Sequence, residues 1–285
     1  MTPPDSSSYQ LSEENLSVGD ELQRLCSQVQ LSWKEEMRLM GWLGLSDGMS
    51  VLELGCGPGF VTERLAEYLP TSQITALDCD PLALAYAQER LNNRETHAHQ
   101  RLRWLQGNAE ETHLEDGLFD VVLVRLLLQH VPDPLAVLRE AWRVLKPGGK
   151  VMVSDIDGEM WGVAQPTFPQ LRSLYSKMGS AQAARHGDRL IGRRLWRLVA
   201  DAGFDQPELH PFAYHSDELG LKAFEWQLDP NRLLTTAKAG HISGNEMAAA
   251  RIAFDLFYAS DEAFVLMLGF IACGVKCASR SPSRR

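Results

Sequence analysis

The stretch Val51–Phe60, VLELGCGPGF, places three glycines directly after an apolar segment of strand character. Glycine loses much backbone entropy on folding and contributes no side chain to packing. A cluster of glycines therefore marks a place where the backbone turns tightly or approaches another group closely. The residues before the glycines predict a buried strand, and those after them predict a helix. We therefore expect a strand–loop–helix unit whose loop lies against a ligand.

The chain around this stretch alternates between strand-like and helix-like segments. Strands that alternate with helices form a parallel sheet covered by helices on both faces, so this order predicts a doubly wound α/β fold. The predicted strands cover 50–54, 73–77, 103–106, 120–124, 150–154, 208–215 and 263–275, although periodicity alone also allows a helix over 263–275. The predicted helices cover 61–68, 81–92, 134–144 and 192–202.

The remaining segments suggest how the chain is divided. Residues 1–20 are polar and rich in Pro and Ser, which predicts a disordered tail. Apolar residues at helical spacing then predict an N-terminal helical lid. The predicted N-terminal units are the tail 1–20, the lid 21–44 and a ligand-binding core 45–157. A substrate-cap insertion with poor strand signals follows at 158–190. The rest of the core covers 191–278 and contains a helical insertion at 217–260, and a flexible tail covers 279–285.

Composition excludes several classes of protein. The chain has 285 residues, of which 45% are hydrophobic and 23% charged, as in ordinary globular proteins. No apolar run is as long as a membrane span and the start lacks a leader pattern, so we expect a cytoplasmic protein without a membrane partner. The five scattered cysteines suit reduced thiols, and no metal site is predicted. The net charge of -9 disfavours nucleic-acid partners.

The spacing of the glycines narrows the type of ligand. The pattern is Gly55-x-Gly57-x-Gly59, which differs from the Gly-x-Gly-x-x-Gly of loops that bind dinucleotide phosphates. Glu53 lies in the strand just before the loop, where a carboxylate would repel a pyrophosphate and favour a cation. A nicotinamide-dependent oxidoreductase is therefore disfavoured.

The ends of the next two strands carry further candidate ligand residues. Asp78 follows the loop by some twenty residues, where a carboxylate can accept hydrogen bonds from both hydroxyls of a ribose. Asp80 directly precedes Pro81 and is better placed to cap the following helix. After the third strand, Asn108 and the small Ala109 leave room for an adenine ring.

Together these segments resemble the motifs of class I S-adenosylmethionine-dependent methyltransferases, most closely the ubiquinone/menaquinone-biosynthesis type and its small-molecule relatives. The matching pieces, in order over residues 45–157, are VLELGCGPGF, ALDCD, GNAE, FDVVLVRLLLQHVPDP and LREAWRVLKPGGKVMVSD. The resemblance implies a seven-stranded sheet with an antiparallel last strand, S-adenosylmethionine as cofactor and S-adenosylhomocysteine as product. It places Glu53, Gly55, Gly57 and Gly59 around the methionine part of the cofactor and Asp78 at its ribose. It places Asn108 and Ala109 at the adenine and Arg125 at the mouth of the site. Cys56 and Cys79 also belong to the predicted site.

The chemistry suggests one candidate base. Methyl transfer needs alignment and exclusion of water, and it needs a base only when the nucleophile must lose a proton. His130, in LLLQHVPDP, is the candidate because an unperturbed histidine titrates near physiological pH. Asp155, at the end of the fifth strand, is expected to orient it, since related sugar O-methyltransferases carry a histidine and an aspartate in these two contexts. The alternative is that His130 only shapes the site, as in members that methylate carbon.

The predicted function is transfer of a methyl group to a small-molecule acceptor, with O- or N-methylation favoured. C-methylation of a quinone-like ring is an alternative. Methylation of RNA or protein is less favoured because the fourth strand leads into RLLLQH rather than an Asn-Pro-Pro-Tyr type motif, and no basic patch with interleaved aromatics is present. A non-catalytic partner protein that binds S-adenosylmethionine stays open. A homodimer is the one assembly that we expect.

Overall fold

A computed structural model describes residues 7–9, 11, 17–92, 101–160 and 162–277. Its eight strands form one sheet. They are β1 Ser50–Leu54, β2 Gln73–Asp78, β3 Leu102–Gln106, β4 Phe119–Arg125, β5 Leu145–Asp155, β6 Gly162–Gln165, β7 Asp205–His215 and β8 Phe264–Val275.

The order of the strands is that of a doubly wound sheet. β3, β2, β1, β4 and β5 are neighbours in that order, and all four pairings are parallel. β8 is antiparallel to β5, β6 and β7. Met267 of β8 pairs with Gly162 on one side and with Tyr214 on the other. β5 and β6 therefore follow one another along one edge of β8, and β7 lies along the other edge.

Helices cover both faces of the sheet. The α-helices are α1 Val18–Trp42, α2 Phe60–Tyr68, α3 Pro81–Asn92, α4 Pro134–Val144, α5 Pro169–Ala183, α6 Leu195–Asp201, α7 Ser216–Leu219, α8 Glu225–Leu228, α9 Leu234–Lys238 and α10 Gly244–Tyr258. Leu138 of α4 and Leu198 of α6 belong to one core cluster, and Met40 of α1 and Leu65 of α2 belong to another. The predicted mostly parallel α/β sheet is confirmed.

One strand was not expected. β6 lies within the region 158–190, which was predicted to lack strands, so the sheet has eight strands rather than seven. β6 has only four residues, too few for a period-two pattern, and it forms by pairing with the end of β8 that extends beyond β5. A Cβ on Gly162 would overlap the carbonyl oxygen of Leu266, so the close approach of the two backbones requires glycine there.

The prediction of a disordered tail over 1–20 is wrong for the described residues within it. Ser8 and Leu11 are buried. The backbone N–H of Ser8 donates to the carbonyl of His130 at 2.8 Å, and that of Leu11 donates to Asp80 at 3.1 Å. Helix α1 begins at Val18, three residues before the predicted lid, and Ser17 caps it. The amino-acid composition does not predict the burial of Ser8 and Leu11, because distant parts of the chain supply their contacts. Residues 1–6, 10 and 12–16 and the predicted tail 279–285 lie outside the described residues.

The two predicted insertions pack on each other as a single helical cap. Phe168, just before α5, lies in one apolar cluster with Phe254 and Phe257 of α10. Leu174 of α5 lies in a second cluster with Leu233. Within the described ranges, no helix is long and apolar enough to cross a membrane.

Candidate active site

A cavity of about 1040 Å³ lies between the carboxyl ends of the central strands and the helical cap. Gly55, Asp78 and Asn108 line it from the sheet, and Arg24 and Tyr175 line it from α1 and α5. The carboxyl ends of strands are where open α/β sheets bind ligands. The volume is at the upper end of the range for small-molecule sites, so it has room for a cofactor and a second molecule.

The three glycines of the first loop serve two different purposes. Gly55, Gly57 and Gly59 have φ values of 74°, 51° and 73°, in the left-handed region that favours glycine. A Cβ on Gly55 would lie 2.9 Å from Leu127, and one on Gly59 would lie 2.8 Å from Ala87. A Cβ on Gly57 would meet nothing within 4 Å. Gly55 and Gly59 therefore permit close packing, whereas Gly57 leaves the cavity open.

Asp78 connects the glycine loop to the end of β2. Its carboxylate accepts hydrogen bonds from the backbone N–H of Gly57 at 2.6 Å and from that of Asp80 at 2.9 Å. Burial raises the pKa of Asp78 above its ordinary value, against the lowering effect of these bonds. Asp80 caps α3 through the backbone N–H of Leu82 at 2.8 Å, which confirms its predicted role.

Glu53 is a buried acid in the wall of the cavity. Its carboxylate accepts a hydrogen bond of 2.6 Å from the hydroxyl of Thr62. Burial raises the pKa of Glu53 to about 7, although Thr62 and the charge of Arg125 act in the opposite direction. A cation bound beside this carboxyl would favour its ionised form. That Glu53 lies beside a positively charged ligand stays a prediction from its sequence position.

The other residues predicted for the cofactor also line the cavity. Cys56 is a buried thiol whose pKa is raised by burial, and Cys79 is exposed. Ala109 is buried, and Asn108 is exposed with its side-chain oxygen accepting from the backbone N–H of Glu110 at 2.9 Å. Their positions are compatible with the predicted adenine edge.

Arg125 lines the cavity, but its guanidinium is directed to α1. It donates to Glu36 at 2.9 Å and to the hydroxyl of Ser32 at 2.9 Å. The side chains of Arg125 and Glu36 are 11% and 3% exposed, so the ion pair is buried. Sequence reasoning missed Glu36, for which the available signal is a charged residue on the apolar face of α1. In this structure Arg125 holds the N-terminal helix against the end of β4.

His130 lines the cavity, and its ring nitrogen Nδ1 is within hydrogen-bond distance of two other side chains. Its Nδ1 lies 3.1 Å from the hydroxyl of Ser8 and 3.2 Å from the amide nitrogen of Gln182. The same amide nitrogen donates to the carbonyl of Gln129 at 2.8 Å, which establishes it as a donor. Nδ1 can therefore accept from this amide, and a neutral ring that does so carries its proton on Nε2.

The pKa of His130 is also shifted from its ordinary value. Burial, together with the positive charges of Arg189, Arg24 and Arg185, lowers the pKa of His130 to about 3. The ring is therefore neutral at physiological pH, and its N–H lies on Nε2 when Nδ1 accepts from Gln182. A histidine in this state is a weak base and a good hydrogen-bond donor, so these contacts weigh against the predicted role of His130 as a base.

The prediction that Asp155 orients His130 is wrong. Its buried carboxylate accepts from the side-chain amide of Gln129 at 2.9 Å and from the backbone N–H of Ile156 at 2.9 Å. Among the described residues, no hydrogen bond joins Asp155 to His130, and Asp155 does not line the cavity. The hydrogen-bond partner of this carboxylate is instead Gln129, the residue before His130. Burial raises the pKa of Asp155 to about 7.

Comparison with known proteins agrees with this geometry. Residues 52–153 match the family model of the methyltransferase domain. Demethylmenaquinone methyltransferase of Lactococcus lactis is 37% identical over 150 residues, which are 51% of this chain and 54% of that protein. An uncharacterized 37.1 kDa protein of a Streptomyces fradiae transposon is 33% identical over 165 residues, 58% of this chain and 46% of that protein. The chain therefore spans about half the length of the curated relatives it matches.

A solved structure extends the likeness to the fold of most of the chain. Phosphoethanolamine N-methyltransferase 2 of Haemonchus contortus, in complex with phosphomonomethylethanolamine and S-adenosylhomocysteine, superposes with a TM-score of 0.54. The match covers 86% of this chain and 53% of that chain at 20% sequence identity. An identity this low establishes a shared fold only.

The fold and the strand-end cavity define a class I methyltransferase domain. Within that class, the chain is similar to the demethylmenaquinone methyltransferases, in agreement with the ubiquinone/menaquinone-like resemblance of its motifs. S-adenosylmethionine, the predicted cofactor, is the cofactor of this class.

Proposed function

We propose that the protein transfers a methyl group from S-adenosylmethionine to a small-molecule acceptor. The observation that carries this proposal is the single cavity of about 1040 Å³ that joins the glycine loop to the helical cap. A cofactor at the loop and an acceptor under the cap would share one enclosed space. Alignment of the two reactants in such a space supplies much of the catalysis in a displacement reaction.

The residues at the strand ends fit this cofactor. We propose that Glu53 and the open face of Gly57 lie beside its amino-acid end, that Asp78 accepts from the ribose, and that Asn108 and Ala109 border the adenine. When bound, the cofactor supplies a methyl group already activated by the positive sulfur. The acidic residues at this end suit a cationic ligand.

The chain itself contributes orientation and exclusion of water. Ser8 and Tyr9 cover the cavity from the N-terminal segment, and Tyr175 and Gln182 cover it from α5. A closed site removes water that would compete with the acceptor. We propose that His130 donates a hydrogen bond from Nε2 to the acceptor and positions it.

We propose O- or N-methylation, although the contacts of His130 do not by themselves disfavour methylation of carbon. The acceptor atom must be nucleophilic without help from this ring, as is a neutral amine, an oxygen ionised before binding or an electron-rich carbon. The name of the Lactococcus lactis relative points to a quinone as acceptor, so C-methylation is the competing outcome. NMR of the methylated product distinguishes the three bonds.

Replacing Asp78 with alanine is expected to weaken binding of S-adenosylhomocysteine about 5- to 150-fold. The variant loses the acceptor for the ribose and also leaves the N–H of Gly57 without its partner, which together cost about 1–3 kcal/mol. Calorimetry on the full chain measures the affinity. Asp116→Ala is the control, because that side chain is 77% exposed and remote from the cavity lining.

Two results would count against the proposal. Failure of folded wild-type protein to bind either S-adenosylmethionine or S-adenosylhomocysteine contradicts the proposed function. Equal affinities in Asp78→Ala and Asp116→Ala remove Asp78 from the cofactor site.

Replacing His130 with alanine is expected to lower kcat/KM about 10- to 100-fold, as loss of one hydrogen-bond donor near a reacting group does. His130→Gln keeps a donor and should retain most of the activity. Because the pKa of His130 is held near 3, its protonation should add no inflection to the pH profile of methyl transfer between pH 5 and 8. Equal losses of activity in His130→Ala and His130→Gln at neutral pH, with both variants recovering at high pH, would instead show a base.

A further inference from the structure

The half of the cavity away from the glycine loop is lined by arginines from separate segments of the chain. Arg24 belongs to α1 and Arg185 follows α5. Arg189 precedes the short 3₁₀ helix Ile191–Arg194, and Arg232 lies in the 3₁₀ helix Pro230–Leu233. They are spread over more than 200 positions, so only the tertiary structure brings them together.

Most of the acidic residues that line the cavity lie near the glycine loop. Among the described residues that line the cavity, the acids are Glu21, Glu53, Asp78 and Asp80. Three of them stand at or beside the ends of β1 and β2, and Glu21 forms an ion pair with Arg24, with 2.7 Å between Nε and the carboxylate. Among the described residues, the acids of the cavity therefore lie mostly at the proposed cofactor end, and the arginines lie mostly on the side of the cap. In a chain with a net charge of -9, this basic half is a local feature.

The contacts of Arg189 indicate that the basic half of the cavity binds a ligand. Its Nη1 lies 3.5 Å from the side-chain oxygen of Gln182, and its buried Nε has no hydrogen-bond partner among the described residues. Burial and the nearby charge of Arg232 lower the pKa of Arg189 to about 10, so the guanidinium stays charged at neutral pH. A buried charged donor with an unmet hydrogen bond is destabilising until a partner arrives.

The chemistry of the partner follows from the geometry of the guanidinium. Its planar set of donors matches carboxylate and phosphate groups, which accept two parallel hydrogen bonds. Arg24 already pairs with Glu21, and Arg232 donates to the carbonyl of Gln227 at 2.8 Å. Within the described residues, Arg189 is therefore the cation of this group with an unmet donor. The carboxylate of S-adenosylmethionine belongs to its amino-acid end, which is proposed to lie at the glycine loop. We infer that the methyl acceptor is an anionic small molecule whose carboxylate or phosphate group is bound by Arg189 and Arg232. The inference rests on the proposed methyl transfer, because it assigns this half of the cavity to the acceptor.

Binding of matched probes to the full chain tests the inference. The protein is first saturated with S-adenosylhomocysteine, and benzoate, inorganic phosphate and benzamide are then titrated by calorimetry. Benzamide has nearly the shape of benzoate without its charge. We expect benzoate or phosphate to bind at least 10-fold more tightly than benzamide, and their relative affinities distinguish a carboxylate site from a phosphate site.

Variants locate the site. Arg189→Gln and Arg232→Gln should each weaken binding of the anion at least 10-fold, whereas Arg189→Lys, which keeps the charge, should lose less. Arg38→Gln on the outer side of α1 is the control, since that side chain is 65% exposed and pairs with Glu35. It should bind the anion as the wild type does. The comparison of probes on wild-type protein stands even where a variant fails to fold.

The outcomes separate this inference from the proposed function. Absence of S-adenosylhomocysteine binding contradicts the function itself. Normal binding of S-adenosylhomocysteine, together with equal affinities for benzoate and benzamide or with no anion binding, overturns the anionic acceptor alone. The inference is also overturned if Arg189→Gln weakens S-adenosylhomocysteine while the loaded protein still binds benzoate normally, because the arginine then serves the cofactor.

Discussion

Replacing Glu36 with alanine is expected to lower the free energy of unfolding by about 3–5 kcal/mol, the usual cost of removing one partner of a buried ion pair. Glu36 accepts from Arg125 at 2.9 Å and from Ser32 at 3.0 Å, and Ser154 at the end of β5 also donates to it. Its loss would leave the guanidinium of Arg125 buried without a counter-charge. Chemical denaturation of the full chain measures the change.

The neighbouring acid provides a matched control. Glu35 pairs with Arg38, whose side chain is 65% exposed, and such pairs contribute about 0–1 kcal/mol. Glu35→Ala should therefore be nearly neutral. The double variant Glu36→Leu with Arg125→Met should recover much of the lost stability, because it removes both charges together. Equal losses in Glu35→Ala and Glu36→Ala would show that the ion pair does not hold α1 to the sheet.

Replacing Gly59 with alanine is expected to cost about 2–4 kcal/mol of stability, whereas Gly57→Ala costs only about 1 kcal/mol. Both residues have left-handed φ values, so the backbone strain is similar. A Cβ on Gly59 would also press against Ala87 at 2.8 Å and Trp104 at 2.9 Å, but one on Gly57 would enter open space. Thermal or chemical denaturation distinguishes the two variants.

Binding should be affected in the opposite order. The methyl group of Gly57→Ala would occupy the face of the loop that lines the cavity, so S-adenosylhomocysteine should bind at least 10-fold more weakly although the protein stays folded. Calorimetry at a temperature where both variants are folded gives the comparison. If Gly57→Ala binds like the wild type, the open face of the loop is not where the cofactor lies.

Local sequence determined the repeating part of the fold. The predicted bounds of β1 at 50–54, α3 at 81–92 and α4 at 134–144 are those of the structure. These elements follow from periodic burial and from caps such as Asp80 and Asp133, which depend on residues only a few positions apart. The sequence also located residues at the strand ends that line the cavity and that we propose to bind the cofactor, because the carboxyl ends of parallel strands meet along one edge of a sheet.

The tertiary structure alone decided the rest. The ion pair of Glu36 and Arg125 joins residues 89 positions apart. Ser8 reaches His130 across 122 positions, and Asp155 pairs with Gln129 instead of His130. Side chains this far apart leave no periodic signal, so neither the donor state of His130 nor the group of arginines at the acceptor end was visible in the sequence. Periodicity records which face of an element is buried, but the partner of a buried polar group depends on how the whole chain folds around it.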